Sequence, residues 1–375
     1  MVTRKINQII TDQLDSNKAI ILIGCRQVGK TTILKEMFPE NGSNFWFYGD
    51  DVDTQLLFSD MTAPKLRSII GNRKVIVIDE AQRIPDIGLR MKIITDQMPD
   101  IRLLATSSSS FELANRLNEP LTGRKWENHI YPISFGEMVD HHGLQNEMRM
   151  LPHRMIYGYY PEVVTAKGKE KMILKQLSDS YLYKDILSFN KIKKSDSLIK
   201  LLQALAYQIG SQVSYNKLAE IVGIDAKTVE TYIQLLEQGY IIFRLPSLSR
   251  NMRNELKHSR KIYFYDNGIR NALISNFASL ELRSDVGALW ENFFISERLK
   301  RNHYSDYRCL TYFWRTTQQQ EIDYVEEKDG AFSIFEMKWN PNKSKTKFPE
   351  SFLNNYAVNQ SVVVTPENYF EFLRP

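Results

Sequence analysis

Three features of the sequence predict an α/β protein in three domains. A buried strand runs through a glycine loop into a helix in AIILIGCRQVGKTTILKEMF (19–38). A second apolar strand, VIVID, ends in the acid pair Asp79-Glu80. Near the C-terminus a long helix precedes three short strands, TYFWRTT, EIDYVEE and FSIFEMKW. The 375 residues exceed the usual size of one core. Boundaries are expected to give domains at 1–145, 146–255 and 256–375.

A content of 43% hydrophobic and 25% charged residues fits globular domains. No apolar run approaches the roughly 18 residues that a bilayer span needs, so no membrane role is expected. The N-terminal MVTRKINQIITDQLD lacks the apolar centre of a signal peptide. Two cysteines, Cys25 and Cys309, give no disulfide framework. A cytoplasmic location is the expectation. Of the net charge of +5, none comes from the front: 17 basic face 18 acidic residues through position 140, leaving 32 against 26 beyond it. Within that excess, RLPSLSRNMRNELKHSRK (244–261) is a basic concentration that suits an acidic partner such as nucleic acid.

In the first domain, strand Ala19–Ile23 leads into Gly24-Cys25-Arg26-Gln27-Val28-Gly29-Lys30-Thr31-Thr32, with a helix from about Lys30. This is the P-loop spacing. Glycines let backbone N–H groups curl toward phosphate oxygens, and the helix N-terminus adds a favourable dipole. Lys30 would neutralise the β/γ-phosphates of ATP, and the Thr31 hydroxyl would join a Mg²⁺ shell. The four fixed positions alone match by chance in about 1% of chains this long; the flanking strand and helix make chance far rarer. Val75–Ile78 suits a central parallel strand covered on both faces. At its C-terminal end, Asp79 would hold the metal and Glu80 would orient or deprotonate the attacking water. A third strand, Arg102–Thr106, runs into Ser107–Ser110, whose hydroxyls would reach the γ-phosphate or cap the next helix. Arg124 in LTGRKWE is a candidate to offset transition-state charge, with Arg116 and Arg26 as competitors. Whether Arg124 acts in its own chain or in a neighbour within a homo-oligomer stays open.

CRQVGKTT, VIDEAQ, LLATSSSS and LTGRKWE, in this order and followed by YPISFGEM, resemble the bacterial and archaeal AAA-type ATPases that carry a C-terminal domain of unknown function. The resemblance extends over essentially the whole chain. It implies ATP hydrolysis with functional residues at Lys30, Thr31, Asp79, Glu80 and Arg124. Where that family usually reads Thr-Gly-Ser-Ser, this chain has Thr106-Ser107-Ser108-Ser109.

The second domain is read as helical. In SYNKLAEIVGIDAKTVETYIQLLEQGYIIFRL (214–245), helix Asn216–Val222 meets a turn at Gly223-Ile224-Asp225, and Asp225 caps a longer helix. Val229, Tyr232, Ile233 and Leu236 form its buried stripe, and GYIIFRL follows as a strand of a wing. A winged helix is expected, serving either as a DNA reader or as a packing module. Glu230 and Glu237 on the second helix are unfavourable opposite a phosphate backbone.

In the third domain, Leu289, Trp290, Phe293 and Phe294 give the helix of VGALWENFFISERLKRN an apolar face, with Glu291 beside it. Strand alternation puts Glu336 and Lys338 on one side, and Asp323 on the preceding strand could converge on them. Two carboxylates and a lysine are the minimum for Mg²⁺-dependent phosphodiester hydrolysis, with Asp323, Glu336 and Glu291 on the metal and Lys338 at the water. The bland alternative is a charged sheet edge. The order of these residues resembles restriction-endonuclease-like nucleases, which implies that fold for the third domain. The leading expectation is a Mg²⁺-dependent ATPase acting on nucleic acid, with nuclease action controlled by ATP. The rival is a nucleotide-switched binding module whose C-terminal domain does not cut.

Overall fold

The structure, a computed structural model, describes residues 2–108, 121–184, 195–250, 259–343 and 346–374. The chain folds into two compact units, Met1–Pro132 with Gln238–Tyr240, and Ile133–Glu237 with Ile241–Pro375. Among the described residues, no helix is long and apolar enough to cross a membrane.

The first unit is built on β1 (Ala19–Gly24), β2 (Asn44–Tyr48), β3 (Val75–Asp79), β4 (Arg102–Ser107) and β5 (Lys125–Ile130). These pair in parallel in the order β2-β3-β4-β1-β5. All six residues of β1 are buried, which is why its sequence is unbroken apolar rather than alternating. Because β1 lies between β4 and β5, the chain leaving it passes the places of β4 and β3 to form β2 at the edge, returns through β3 and β4, and then crosses β1 to form β5. That change of direction opens a crevice at the C-terminal ends of the strands, where such sheets bind ligands. The helix Lys30–Met37 starts in this crevice, and Asp79 and Glu80 close β3 one strand away.

The second unit begins with helices. Ser134 and Glu137 cap the helix Phe135–His142 reciprocally: the Glu137 amide donates to the Ser134 hydroxyl and the Ser134 amide to the Glu137 carboxylate. Further on, the helices Tyr215–Val222 and Ala226–Gln238 are joined by a turn in which Asp225 accepts from the Thr228 amide at 2.9 Å. Val229, Tyr232, Ile233 and Leu236 are buried, and so is Leu235. An antiparallel pair follows, β6 (Ile242–Pro246) with β7 (Arg260–Phe264).

The sheet of this unit has the order β11-β10-β9-β8. β8 (Leu310–Arg315), β9 (Glu321–Lys328) and β10 (Ala331–Met337) are antiparallel neighbours, and β11 (Val358–Val364) runs parallel to β10. One apolar cluster gathers Trp314, Ile322, Val325, Phe332, Ile334 and Phe352. The helix Val286–Tyr304 buries the expected Leu289, Trp290, Phe293 and Phe294 but is also covered on its polar positions, including Asn292, Glu297 and Lys300. Those polar groups are satisfied internally. Glu297 accepts from Lys300 at 2.6 Å and from the Phe135 amide at 2.6 Å. Arg298 donates through two nitrogens to Glu326, each at 2.8 Å.

Candidate functional site

The loop after β1 curls through two left-handed residues, Gln27 with φ 57° and Gly29 with φ 94°. Gly29 immediately precedes the helix, where a residue with a side chain would be strained. Cys25 and Val28 are buried within the loop, Arg26 is half-buried, and Gln27 and Thr32 are exposed. Lys30 is buried, and its ammonium donates to the carbonyls of Gly24 at 2.9 Å and Cys25 at 2.7 Å. The cation is thus held inside the loop that would surround a phosphate chain. A residue not singled out in the sequence supports it from outside. Arg4, buried, donates to the Val28 carbonyl and to the Tyr131 carbonyl, each at 2.8 Å.

The loop and the end of β3 meet through Thr31, whose hydroxyl donates to Asp79 Oδ1 at 2.9 Å and reaches Oδ2 at 3.1 Å. Two hard oxygen groups side by side at a helix start are the donor set that Mg²⁺ prefers. Thr106, fully buried on β4, donates to the same Asp79 oxygen at 2.6 Å and accepts from the Glu80 amide at 2.9 Å. Glu80 takes the left-handed conformation, φ 51°, which turns its side chain out of the strand. Its carboxylate accepts from the Gln82 side-chain amide at 2.5 Å and the Ser108 hydroxyl at 3.1 Å. Of the serine run, Ser107 is buried; Ser109 and Ser110 lie outside the described residues, as does Arg116.

Arg124 stands apart from the nucleotide loop of its own chain. It directly precedes β5, and in the β1–β5 register Lys125 stands beside Ala19 while Ile130 stands beside Gly24. At about 3.3 Å per residue, the Lys125 end lies roughly 16 Å along the sheet from the P-loop end. Arg124 pairs there with Asp96 at 2.6 Å. It does not join Lys30 and Glu80 of its own chain, because parallel strands place all their N-termini at the edge opposite the nucleotide loop.

In the second unit the residues expected around the C-terminal strands do come together. Lys338 donates to Glu336 at 2.8 Å, and Asp323 accepts from the Met337 amide at 2.9 Å. Burial, then the negative charge of Asp323 beside it, pushes the Glu336 carboxyl up to about 8. Glu291 enters from the helix, and burial pushes it up to about 7, with Lys261 pulling the other way. Two residues that the sequence reading did not select complete the group. Lys261 pairs with Glu291 at 3.0 Å and Glu321 at 2.7 Å, and the Tyr263 hydroxyl donates to Glu291 at 2.5 Å. Burial works against the charge of Lys261, but Glu291, Asp323 and Glu321 together hold its ammonium above the ordinary value. The Leu248 amide donates to the Phe313 carbonyl at 2.8 Å, tying the segment after β6 to β8 and bringing β7 within reach of β9.

The three carboxylates expected on a metal are therefore divided. Glu291 is engaged by Lys261 and Tyr263, and Glu336 by Lys338. Among the described residues, no group of three or more His, Cys, Asp or Glu is arranged to hold a metal ion.

On the basic stretch 244–261, residues 251–258 lie outside the described residues. The acids of the helix Ala226–Gln238 are partnered by its flanks: Glu237 with Arg244 at 2.5 Å, and Glu230 with Arg260 at 3.9 Å.

Comparison with known proteins matches the chain in three successive segments. Residues 16–139 match a family model described as an AAA domain. Residues 148–280 and 286–372 match two domains of unknown function, DUF8612 and DUF4143. An uncharacterized protein of Mycobacterium tuberculosis is 26% identical over 360 residues, covering 92% of this chain and 76% of its own length. One from Methanocaldococcus jannaschii is 22% identical, covering 98% and 86%. Among solved structures, the Walker-type ATPase of Pyrococcus abyssi aligns with a TM-score of 0.52 at 13% identity, over 73% of this chain and 96% of that one. The front unit thus has the fold of a P-loop ATPase domain, ahead of a helical middle and a C-terminal α/β sheet.

Proposed function

We propose that this chain binds ATP with Mg²⁺ and hydrolyses it at Lys30, Thr31, Asp79 and Glu80. The observation that carries the reading is the Thr31–Asp79 contact at 2.9 Å, which joins the nucleotide loop to the acidic end of β3. Thr31 and Asp79 would hold the metal, which, when bound, offsets charge on the β- and γ-phosphate oxygens. On arrival of the phosphates, Lys30 exchanges the Gly24 and Cys25 carbonyls for the anion, an ammonium moving between acceptors rather than being created there. Loop N–H groups and the helix N-terminus face the same charge. Glu80, turned out of the strand, orients the attacking water and accepts its proton. Arg124 contributes only from a neighbouring copy.

The test is ATP turnover in Lys30→Ala and Glu80→Gln. Losses of roughly 10²–10³-fold with the fold retained are expected; undiminished turnover in Lys30→Ala would remove the assignment.

A second reading concerns the C-terminal cluster. The juxtaposition of Asp323, Glu336 and Lys338 favours phosphodiester hydrolysis on nucleic acid by a restriction-endonuclease-like domain, gated by the ATPase through a winged helix. Asp323 and Glu336 would bind Mg²⁺ once Lys338 turns to the attacking water. Cleavage of DNA and RNA with Mg²⁺ or Mn²⁺, with and without ATP, tests it beside Lys338→Ala. Cutting lost in that variant supports the reading. No cutting with intact ATP turnover leaves a nucleotide-switched binding module.

A further inference from the structure

Glu80 is restrained from three directions that the P-loop pattern does not specify. Thr106 accepts from its backbone amide, at 2.9 Å. At the end of β2, the Gly49 amide donates to the Asp79 carbonyl at 2.8 Å, and a Cβ at Gly49 would stand 2.2 Å from the Glu80 carbonyl oxygen. Gln82 and Ser108 hold its carboxylate, and they also hold each other: the Gln82 side-chain amide donates to the Ser108 hydroxyl at 3.0 Å. The result is a closed triangle of carboxylate, amide and hydroxyl spanning the ends of β3 and β4. A base that must meet one water in one orientation gains from this, because a displacement of about 1 Å can cost a factor of 10² in rate.

We infer that Gln82 and Ser108 are positioning residues for hydrolysis, clasping the Glu80 carboxylate so that it presents one oxygen to the attacking water. Oε2 is occupied by both donors, which leaves Oε1 to accept from water. Gln82 donates to both other members, and its bond to Glu80 at 2.5 Å is shorter than that of Ser108 at 3.1 Å, so Gln82 is the stronger element and Ser108 the secondary one. This inference rests on Glu80 being the group that handles the water.

The experiment measures steady-state ATP turnover and ATP-induced thermal shift for Gln82→Leu, Ser108→Ala, Ser108→Thr and Glu80→Gln. Gln82→Leu should lower kcat roughly 10–100-fold while KM and the thermal shift stay within about twofold of the parent. Ser108→Ala should lose less, and Ser108→Thr, which keeps the hydroxyl, should restore the rate. A structural role would instead lower ATP affinity or melting temperature along with kcat, and that pattern overturns the inference. So does unchanged kcat in both Gln82→Leu and Ser108→Ala. Wild-type turnover in Glu80→Gln would defeat the assignment of the base itself. A dead Glu80→Gln beside a fully active Gln82→Leu would defeat only the clasp.

Discussion

Glu336 shows how far a single residue's neighbours reset its chemistry. Its carboxyl titrates near 4.5 in an ordinary setting and is pushed up to about 8 here, by burial first and by Asp323 second. Between those values the folded chain binds more of this proton than the unfolded chain does. Its contribution to stability is therefore present at low pH and is lost as pH rises from about 4.5 through about 8. Glu336→Gln cannot ionise, so it should flatten that decline and match or exceed the parent's urea midpoint at pH 9. A larger deficit at pH 9 than at pH 5 would contradict the sign. The quartet Glu291, Asp323, Glu336 and Lys338 was legible because strand alternation and helix spacing carry those residues. Lys261 and Tyr263 were not. They lie 30 and 28 residues before Glu291 in a stretch whose evident property was positive charge, and only the tie between the segment after β6 and β8 brings them in. Arg4 escaped for the same reason, since nothing local marks an N-terminal arginine as a prop for a loop 24 residues away.

Elements with a strong local pattern were read nearly to the residue. β1 and β3 up to Ile78 are apolar because both faces are covered, and Asp225 caps its helix as the turn chemistry requires. β11 was missed: its residues VNQSVVV are largely exposed along an edge, so neither alternation nor an apolar run announces it. For Arg124 the sequence left open which chain's loop it would serve, a matter decided at this scale. Its closeness to the loop residues in motif order says nothing about sheet edges, whereas its place just before a parallel strand does. The junction between β2 and β3 carries a prediction. Gly49→Ala would set a methyl 2.2 Å from the Glu80 carbonyl, so one strand end must shift. We expect a loss of about 1–3 kcal/mol in urea unfolding, together with reduced ATP turnover. Gly42→Ala, which meets nothing within 4 Å, serves as the control and should leave both unchanged.

Across the whole molecule, the front third reads clearly because phosphate chemistry needs contiguous residues, while the C-terminal cluster is assembled from four separate stretches. The charge is similarly uneven. Thirty-two basic residues face 26 acidic ones beyond position 140, yet many of those arginines and lysines are consumed internally, as Arg298, Lys300 and Lys261 are. Net charge therefore overstates what the surface offers to an acidic partner. The β1–β5 register has a consequence for kinetics. A chain that cannot place its own Arg124 beside its own Lys30 can use that arginine for turnover only by mass action between molecules. ATPase rate per molecule should then fall on dilution. Adding a Lys30→Ala partner, inert itself but carrying Arg124, should restore part of it, and a Lys30→Ala/Arg124→Ala partner should not. A specific activity independent of concentration would mean that this arginine has no part in hydrolysis.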